Sequence, residues 1–219
     1  MFMISVWSKK GGVGKTLLSL QLAGMFASKG KKVNVIDLDP QGGSMLFAEL
    51  AQRSSSPLPF EISRKPIKDS EILIFDHSPG VDLGGKLAPM VVVPTLLDAS
   101  SYSSTLKTIQ HLEEEKRDYI LLPNRVEMSI REHAELLERL QKEAEARAKA
   151  NGYYDSKYQM PYVRKRIAYQ RGYNYGQTVY ATNSGLPAVL DARKEINGIG
   201  NEIGRIVKAS VHKMKAETK

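Results

Sequence analysis

The chain has no cysteine in its 219 residues, which excludes a disulfide framework, a thiolate metal site and a cysteine nucleophile. No apolar run approaches the roughly 18 residues that a membrane-spanning helix needs. The N-terminus runs from Met1 to Trp7 through Phe2, Met3, Ile4, Ser5 and Val6 before turning basic at Lys9, the reverse of a signal peptide's order. A cytoplasmic protein is therefore expected. Hydrophobic residues at 42% and charged residues at 26% exclude wholesale disorder and suffice for one large core. Internal repeats, low-complexity tracts and a second-domain boundary are all lacking, so one domain over 1–219 is expected. Acidic residues are scarce at one end only. Residues 156–219 hold 12 basic and 4 acidic groups, whereas 111–155 hold 8 and 11. The formal net charge of +8 thus reflects a basic C-terminal region, about 156–219, which points to a polyanionic partner.

Short apolar, β-branched runs recur at Ile4–Trp7, Val33–Leu38, Ile72–Phe75, Met90–Val93 and Tyr119–Leu122, with a further strand expected near Arg166–Tyr169. Most lack polar alternation, as strands covered on both faces do. Helix-like stretches separate them, the first from Lys15 to Lys29. Strands alternating with helices predict an α/β fold: a mainly parallel, twisted sheet with helices on both faces. Ser129 and Glu132 have the spacing of a capping box, Ser as N-cap and Glu at the third helical position. Ile130, Ala134, Leu137, Leu140 and Ala144 then form an apolar stripe, with a solvated charged face opposite. Residues 151–161 are expected to be a loop.

The segment Lys9-Lys10-Gly11-Gly12-Val13-Gly14-Lys15-Thr16 follows the first strand and opens the first helix. Glycines let backbone N–H groups turn inward as an anion cradle, and the helix N-terminus adds partial positive charge. This is a phosphate-binding loop: Lys15 reaches the β- and γ-phosphates and the Thr16 hydroxyl takes a Mg²⁺ position. The general pattern puts glycine five residues before Gly14. Here Lys9 stands there, and Lys10 immediately precedes the glycine pair.

That variant, K-G-G-x-G-K-T, is the deviant Walker A motif, and the chain resembles the ParA/MinD family of P-loop ATPases (SIMIBI-like fold). Asp37-Leu38-Asp39-Pro40-Gln41-Gly42 resembles the family's D-x-D-P-Q-G motif. The resemblance implies that Asp39 orients the attacking water and reaches Mg²⁺ through water, with Asp37 more structural. Asp76, in Asp76-His77-Ser78-Pro79-Gly80, resembles the Walker B aspartate and would hold Mg²⁺ through water. The same resemblance makes Asn124 and Arg125 base-contact candidates, with Pro187 closing over the base. Gly11, Gly12, Val13, Gly14, Lys15, Thr16 and Leu17 would cradle the phosphates. Two departures stand out. Leu17 replaces a common second Thr, which removes one hydroxyl, and His77 replaces a common Thr and is expected to be a packing variant.

In the family, the lysine matching Lys10 crosses a dimer interface to the partner's nucleotide, so the resemblance implies an ATP-dependent homodimer with Mg²⁺. Lys10, Lys15 and Asp39 are then the catalytic candidates. It further implies slow, partner-stimulated hydrolysis, nonspecific DNA binding by the dimer, nucleoid association and a ParB-like adaptor that marks the cargo. Phosphate contacts need only Lys and Arg. Arg164, Lys165, Arg166, Arg171, Lys208, Lys213 and Lys215 are the candidate patch. Tyr169, Tyr173 and Tyr175 lie among them and serve either the core or stacking on single strands. The first strand begins so near Met1 that a preceding helix-turn-helix is not expected. The alternatives are positioning of a non-DNA cargo or MinD-like membrane cycling. The latter would use the stripe Ile203, Ile206, Val207, Val211 and Met214, which holds no Phe, Trp or Leu and is expected to pack on the domain instead. Cluster-bridging relatives need cysteines and are excluded.

Overall fold

The computed structural model describes residues 1–80, 87–181 and 185–217. Six strands form one sheet: β1 (Phe2–Val6), β2 (Val33–Asp37), β3 (Glu61–Ser63), β4 (Ile72–Asp76), β5 (Met90–Thr95) and β6 (Asp118–Pro123). Their spatial order is β3-β2-β4-β1-β5-β6, and every neighbouring pair is parallel. The helices are α1 (Lys15–Ser28), α2 (Gly43–Arg53), α3 (Ala99–Glu114), α4 (Arg131–Asn151), α5 (Ile167–Asn174) and α6 (Val189–Glu217).

Side chains alternate across each strand, and the two faces bury different helices. Ile4, Val6, Val33, Val35, Ile72, Ile74, Met90, Val92, Ile120 and Leu122 share one core with α1 and α6. On the other face Val91, Val93 and Tyr119 meet Leu112 of α3, and Leu121 meets Leu137, Leu140, Ala144 and Ala148 of α4. Helix α1 is buried almost all the way round, because it lies between the sheet and α6. Helix α6 presents Ala192, Ile196, Ile199, Ile203 and Ile206 to that core at helical spacing. A parallel sheet puts all strand C-termini on one edge, so the loops after β1, β2, β4 and β6 converge there.

Three local expectations differ from what forms. The segment expected as a strand near Arg166–Tyr169 enters α5, and only an isolated bridge, Val126 to Arg164, precedes it. Ala168, Tyr169 and Gly172 are buried at spacings of three and four, a helical pattern too short to read against a strand. The N-cap of α4 is Ile130, not Ser129, with no side-chain cap. Instead, His133 Nδ1 accepts from the Glu127 N–H at 3.1 Å one turn earlier. Strand β3 was not expected, being three residues long and only partly buried at the sheet's edge.

After α5 the chain turns at Gly176, at φ +63°, with its Cα pressed against the Ala51 backbone of α2. A side chain there meets both a left-handed backbone and occupied space. Gly176→Ala is expected to cost about 2 kcal/mol or more of stability, read as a lower midpoint in urea unfolding. An unchanged midpoint would show that α2 and α5 are not closely docked.

Candidate functional site

The loop after β1 carries left-handed glycines at Gly12 (φ +74°) and Gly14 (φ +95°), and Gly14 is the N-cap of α1. Asn124, after β6, donates from Nδ2 to the Val13 carbonyl at 2.8 Å, and its Oδ1 accepts from the Arg125 N–H at 2.9 Å. Its amide presses so closely on Gly14 that no Cβ fits there. Asn124 therefore braces the phosphate loop, and Arg125, held at φ +55°, is the one of this pair with an exposed side chain. Asn124→Ala leaves a buried carbonyl unpaired. The expected cost is about 1–3 kcal/mol of stability, with weaker nucleotide binding, seen by thermal unfolding and nucleotide titration.

Lys15 folds back over the loop, its Nζ donating to the Lys10 carbonyl at 3.2 Å. Burial lowers its pKa, against which the Asp76 and Asp39 carboxylates act. Asp76 is fully buried at the end of β4, and its Oδ2 accepts from the Ser44 hydroxyl at 2.8 Å. Burial pushes its pKa up to about 6, opposed by hydrogen bonds from Ser44 and Thr16. Its Oδ1 has no partner among the described residues. Ser44 is a site residue that motif reading missed, two positions beyond the D-x-D-P-Q-G segment.

The two aspartates after β2 divide their work. Asp37 is buried, accepts the N–H groups of Asp39 (3.1 Å) and Met45 (2.9 Å), and lies 3.5 Å from the Arg64 guanidinium. It thereby caps α2, whose N-cap position is Gly42. Asp39 stands in the cleft, with Oδ1 fixed by the Gln41 N–H at 3.0 Å and its carbonyl bound by Arg64 at 2.7 Å. Lys10 is half-exposed beside the cleft-lining Gly11, its Nζ donating to Ser100 Oγ of α3 at 3.2 Å. Lys9 is tied to the same helix through the Lys107 carbonyl.

The model of the CobQ/CobB/MinD/ParA nucleotide-binding domain matches residues 4–166. The chain belongs to this family. An uncharacterised protein of Methanocaldococcus jannaschii is 33% identical over 130 residues, 57% of this chain and 50% of that protein. The chain spans about half the length of the curated relatives it matches. A solved structure of a candidate plasmid partition protein of Borrelia burgdorferi B31, bound to AMPPNP, is similar with a TM-score of 0.63. It is 17% identical and covers 97% of this chain and 99% of its own. A variant of Cyanothece McdA in complex with ATP gives a TM-score of 0.66 at 17% identity, covering 93% and 96%.

A cleft suited to a nucleotide lies at the C-terminal edge of the sheet. Gly11, Gly12, Gly14, Lys15, Thr16 and Leu17 form one wall together with Asp39, Asn124 and Arg125. Arg164, Lys165 and Arg166 with Tyr169 and Tyr173 form the other. Tyr173 donates to the Gly43 carbonyl at 2.7 Å, and the single Tyr169 hydroxyl proton is shared between the Ala192 carbonyl at 3.1 Å and Glu195 at 3.0 Å, so both tyrosines are structural. Leu17 is half-buried and packs on the core, with no hydroxyl to offer. Val13 is fully buried and contributes backbone only. Pro187, expected over the base, sits in the turn before α6 and does not line the cleft.

The seven cations expected to form one patch are divided. Arg164, Lys165 and Arg166 line the nucleotide cleft, and Arg171 is exposed on α5. Arg166 is held by Glu195 at 2.6 Å and Lys165 by Glu127 at 3.0 Å. Lys208, Lys213 and Lys215 lie along the last turns of α6, and Lys213 faces the opposite edge of the sheet. His77 is buried beneath the loop with Ser5 Oγ 2.8 Å from Nε2, and burial lowers its pKa to about 4. It is a neutral packing residue, as expected.

The residues fit a Mg²⁺–nucleotide. The Asp76 Oδ1 atom is buried and unpartnered, Thr16 stands beside that carboxylate, and the glycine cradle has no room for Cβ at Gly14. Thr16, and Asp76 and Asp39 through water, would hold the cation, which supplies charge neutralisation for the phosphates. Lys15 and the N-terminus of α1 would bind phosphate charge, and Asp39 would accept a proton or a hydrogen bond from water.

Proposed function

We propose that the protein is a ParA-like positioning ATPase in which bound ATP joins two copies, the dimer holds nonspecific DNA, and hydrolysis releases both. The observation that carries this is Lys10: a half-exposed lysine next to the cleft-lining Gly11, whose Nζ reaches out to the Ser100 hydroxyl on α3 and not into its own phosphate loop. A second copy that docks across the mouth gains a cation for its phosphates, which ties association to the triphosphate. The cargo would be a plasmid, a chromosome or an assembly marked by a ParB-like adaptor that stimulates slow hydrolysis, with the dimer nucleoid-associated in the cytoplasm.

DNA binding draws support from Arg164 and Arg171 beside the cleft and from Lys208, Lys213 and Lys215 on α6. Doubling these charges in a dimer raises affinity steeply, because each phosphate contact releases counterions. MinD-like membrane cycling gains less support: Ile203 and Ile206 are consumed in the core, leaving Val211 as the exposed apolar residue of that stripe, with the Met214 side chain outside the described residues. No helix among the described residues is long and apolar enough to cross a membrane. Fluorescence anisotropy with a random-sequence duplex, over a salt series and with ATP, ADP or no nucleotide, tests the proposal. Binding is expected with ATP alone and to weaken steeply with salt; equal binding with ADP, or none at low salt, contradicts it.

A further inference from the structure

A second cleft, of about 500 Å³, opens at the opposite edge of the sheet, where β6 begins. Because the sheet is parallel, it lies at the far end of the strands from the phosphate loop. Its floor holds Arg147 of α4, whose guanidinium stacks 4.5 Å from the centre of the Tyr119 ring. The Arg147 Nε is buried without a hydrogen-bond partner, and no carboxylate lies within 4.0 Å of this guanidinium among the described residues. Its nearest polar neighbours are the neutral phenols of Tyr119 and Tyr153.

The two carboxylates of the cleft are already engaged. Glu113 accepts from the Tyr119 hydroxyl at 2.7 Å and Asp118 from the Ser210 hydroxyl at 2.7 Å. Lys116 and Lys213 stand among the lining residues, Lys213 donating only to the Asn151 side-chain oxygen at 3.0 Å. Glu202 acts on Arg147 from beyond ion-pair contact; a partly desolvated cation with no carboxylate in direct contact is costly, and an anion entering the cleft supplies that contact. A planar guanidinium fork with two ammonium groups matches a phosphoryl dianion better than a single carboxylate. The volume falls in the range of small-molecule sites. A duplex backbone would touch the lysines at the mouth but not the sunken guanidinium.

We propose that this cleft is a second ligand site, for a small organic phosphate whose phosphoryl group meets Arg147, Lys116 and Lys213 while its carbon body lies on Tyr153, Ile206 and Ala209. It is separate from the nucleotide site and shares Lys213 alone with the cations offered for DNA.

Calorimetric titration of the Lys15→Ala chain with phenyl phosphate and with inorganic phosphate tests this with the phosphate loop disabled. Saturable binding of both is expected, tighter for phenyl phosphate because of its ring. Arg147→Gln should weaken it about tenfold or more, and Arg147→Lys less, since charge remains and the fork is lost. Circular dichroism and the unfolding midpoint report whether the Arg147 variants fold. Lys116→Ala, an exposed change, carries the test if they do not, with a loss of about two- to fivefold expected. Three results overturn the proposal: no saturable binding of either probe, equal affinity in the Arg147→Gln and Lys116→Ala variants, or variants that weaken duplex DNA binding and leave phenyl phosphate untouched.

Discussion

Lys15→Ala is expected to lose ATP binding by about a hundredfold and hydrolysis with it. The side chain is the cation that the phosphate loop places inside the cradle, buried beside Asp76 and Asp39. Its amine now rests on the Lys10 carbonyl, a neutral acceptor that a phosphate oxygen readily replaces. Charge-assisted hydrogen bonds to phosphate are about twice as strong as neutral ones, and the surroundings here are partly desolvated. Removing the amine also leaves the Asp76 and Asp39 carboxylates facing the phosphates without an intervening positive charge. Titration with a fluorescent ATP analogue measures the affinity directly. A Kd within threefold of the wild type would mean that the nucleotide does not sit in this cradle.

Asp39→Ala has the complementary signature: hydrolysis falls by about 10²–10⁴-fold while ATP affinity stays within a few-fold. Asp39 holds one oxygen on the Gln41 N–H and lies in the cleft, whereas Asp37 is spent on the backbone of Asp39 and α2. An alanine at 39 therefore removes the carboxylate proposed to handle water without dismantling the loop that positions it. The variant should accumulate in its ATP-bound form. Single-turnover hydrolysis beside equilibrium binding separates the two effects; an affinity loss as large as the rate loss would show that holding the cation and phosphates is the main work of Asp39 and leave the water to another residue.

Much of this site is legible in the chain because its chemistry is local. A glycine-rich loop between a strand and a helix needs its residues consecutive, so Gly11 to Thr16 can be read directly. Asp37, Asp39 and Asp76 fall at strand ends for the same reason. The sheet is legible too, since a parallel sheet covered on both faces writes continuous apolar runs. What escapes is built from distant pairings. Ser44 meets Asp76 because the first turn of α2, which packs on β2, reaches the end of β4. Asn124 is recognisable as a site residue from its motif, but its role as a brace on Val13 depends on how β6 lies beside the loop. The basic C-terminal region reads as one patch along the chain. It divides in space because α5 enters the cleft wall while α6 runs back along the sheet to its other edge. Net charge has no direction, so the sequence could not give that separation. Strand β3 and the start of α4 are decided by edge pairing and by a histidine contact, neither of which leaves a periodic trace.

In the proposed cycle ATP makes the dimer and Lys10 carries that dependence. The direct measurement is molar mass by light scattering coupled to size exclusion, for the wild type and Lys10→Ala, each with Mg²⁺ and ATP, ADP or no nucleotide. To keep ATP intact, both are also run with Asp39→Ala. A dimer is expected for the ATP-bound wild-type interface only, and a monomer for Lys10→Ala under every condition despite bound ATP. A dimer that forms equally with ADP, or that persists in Lys10→Ala, would contradict it.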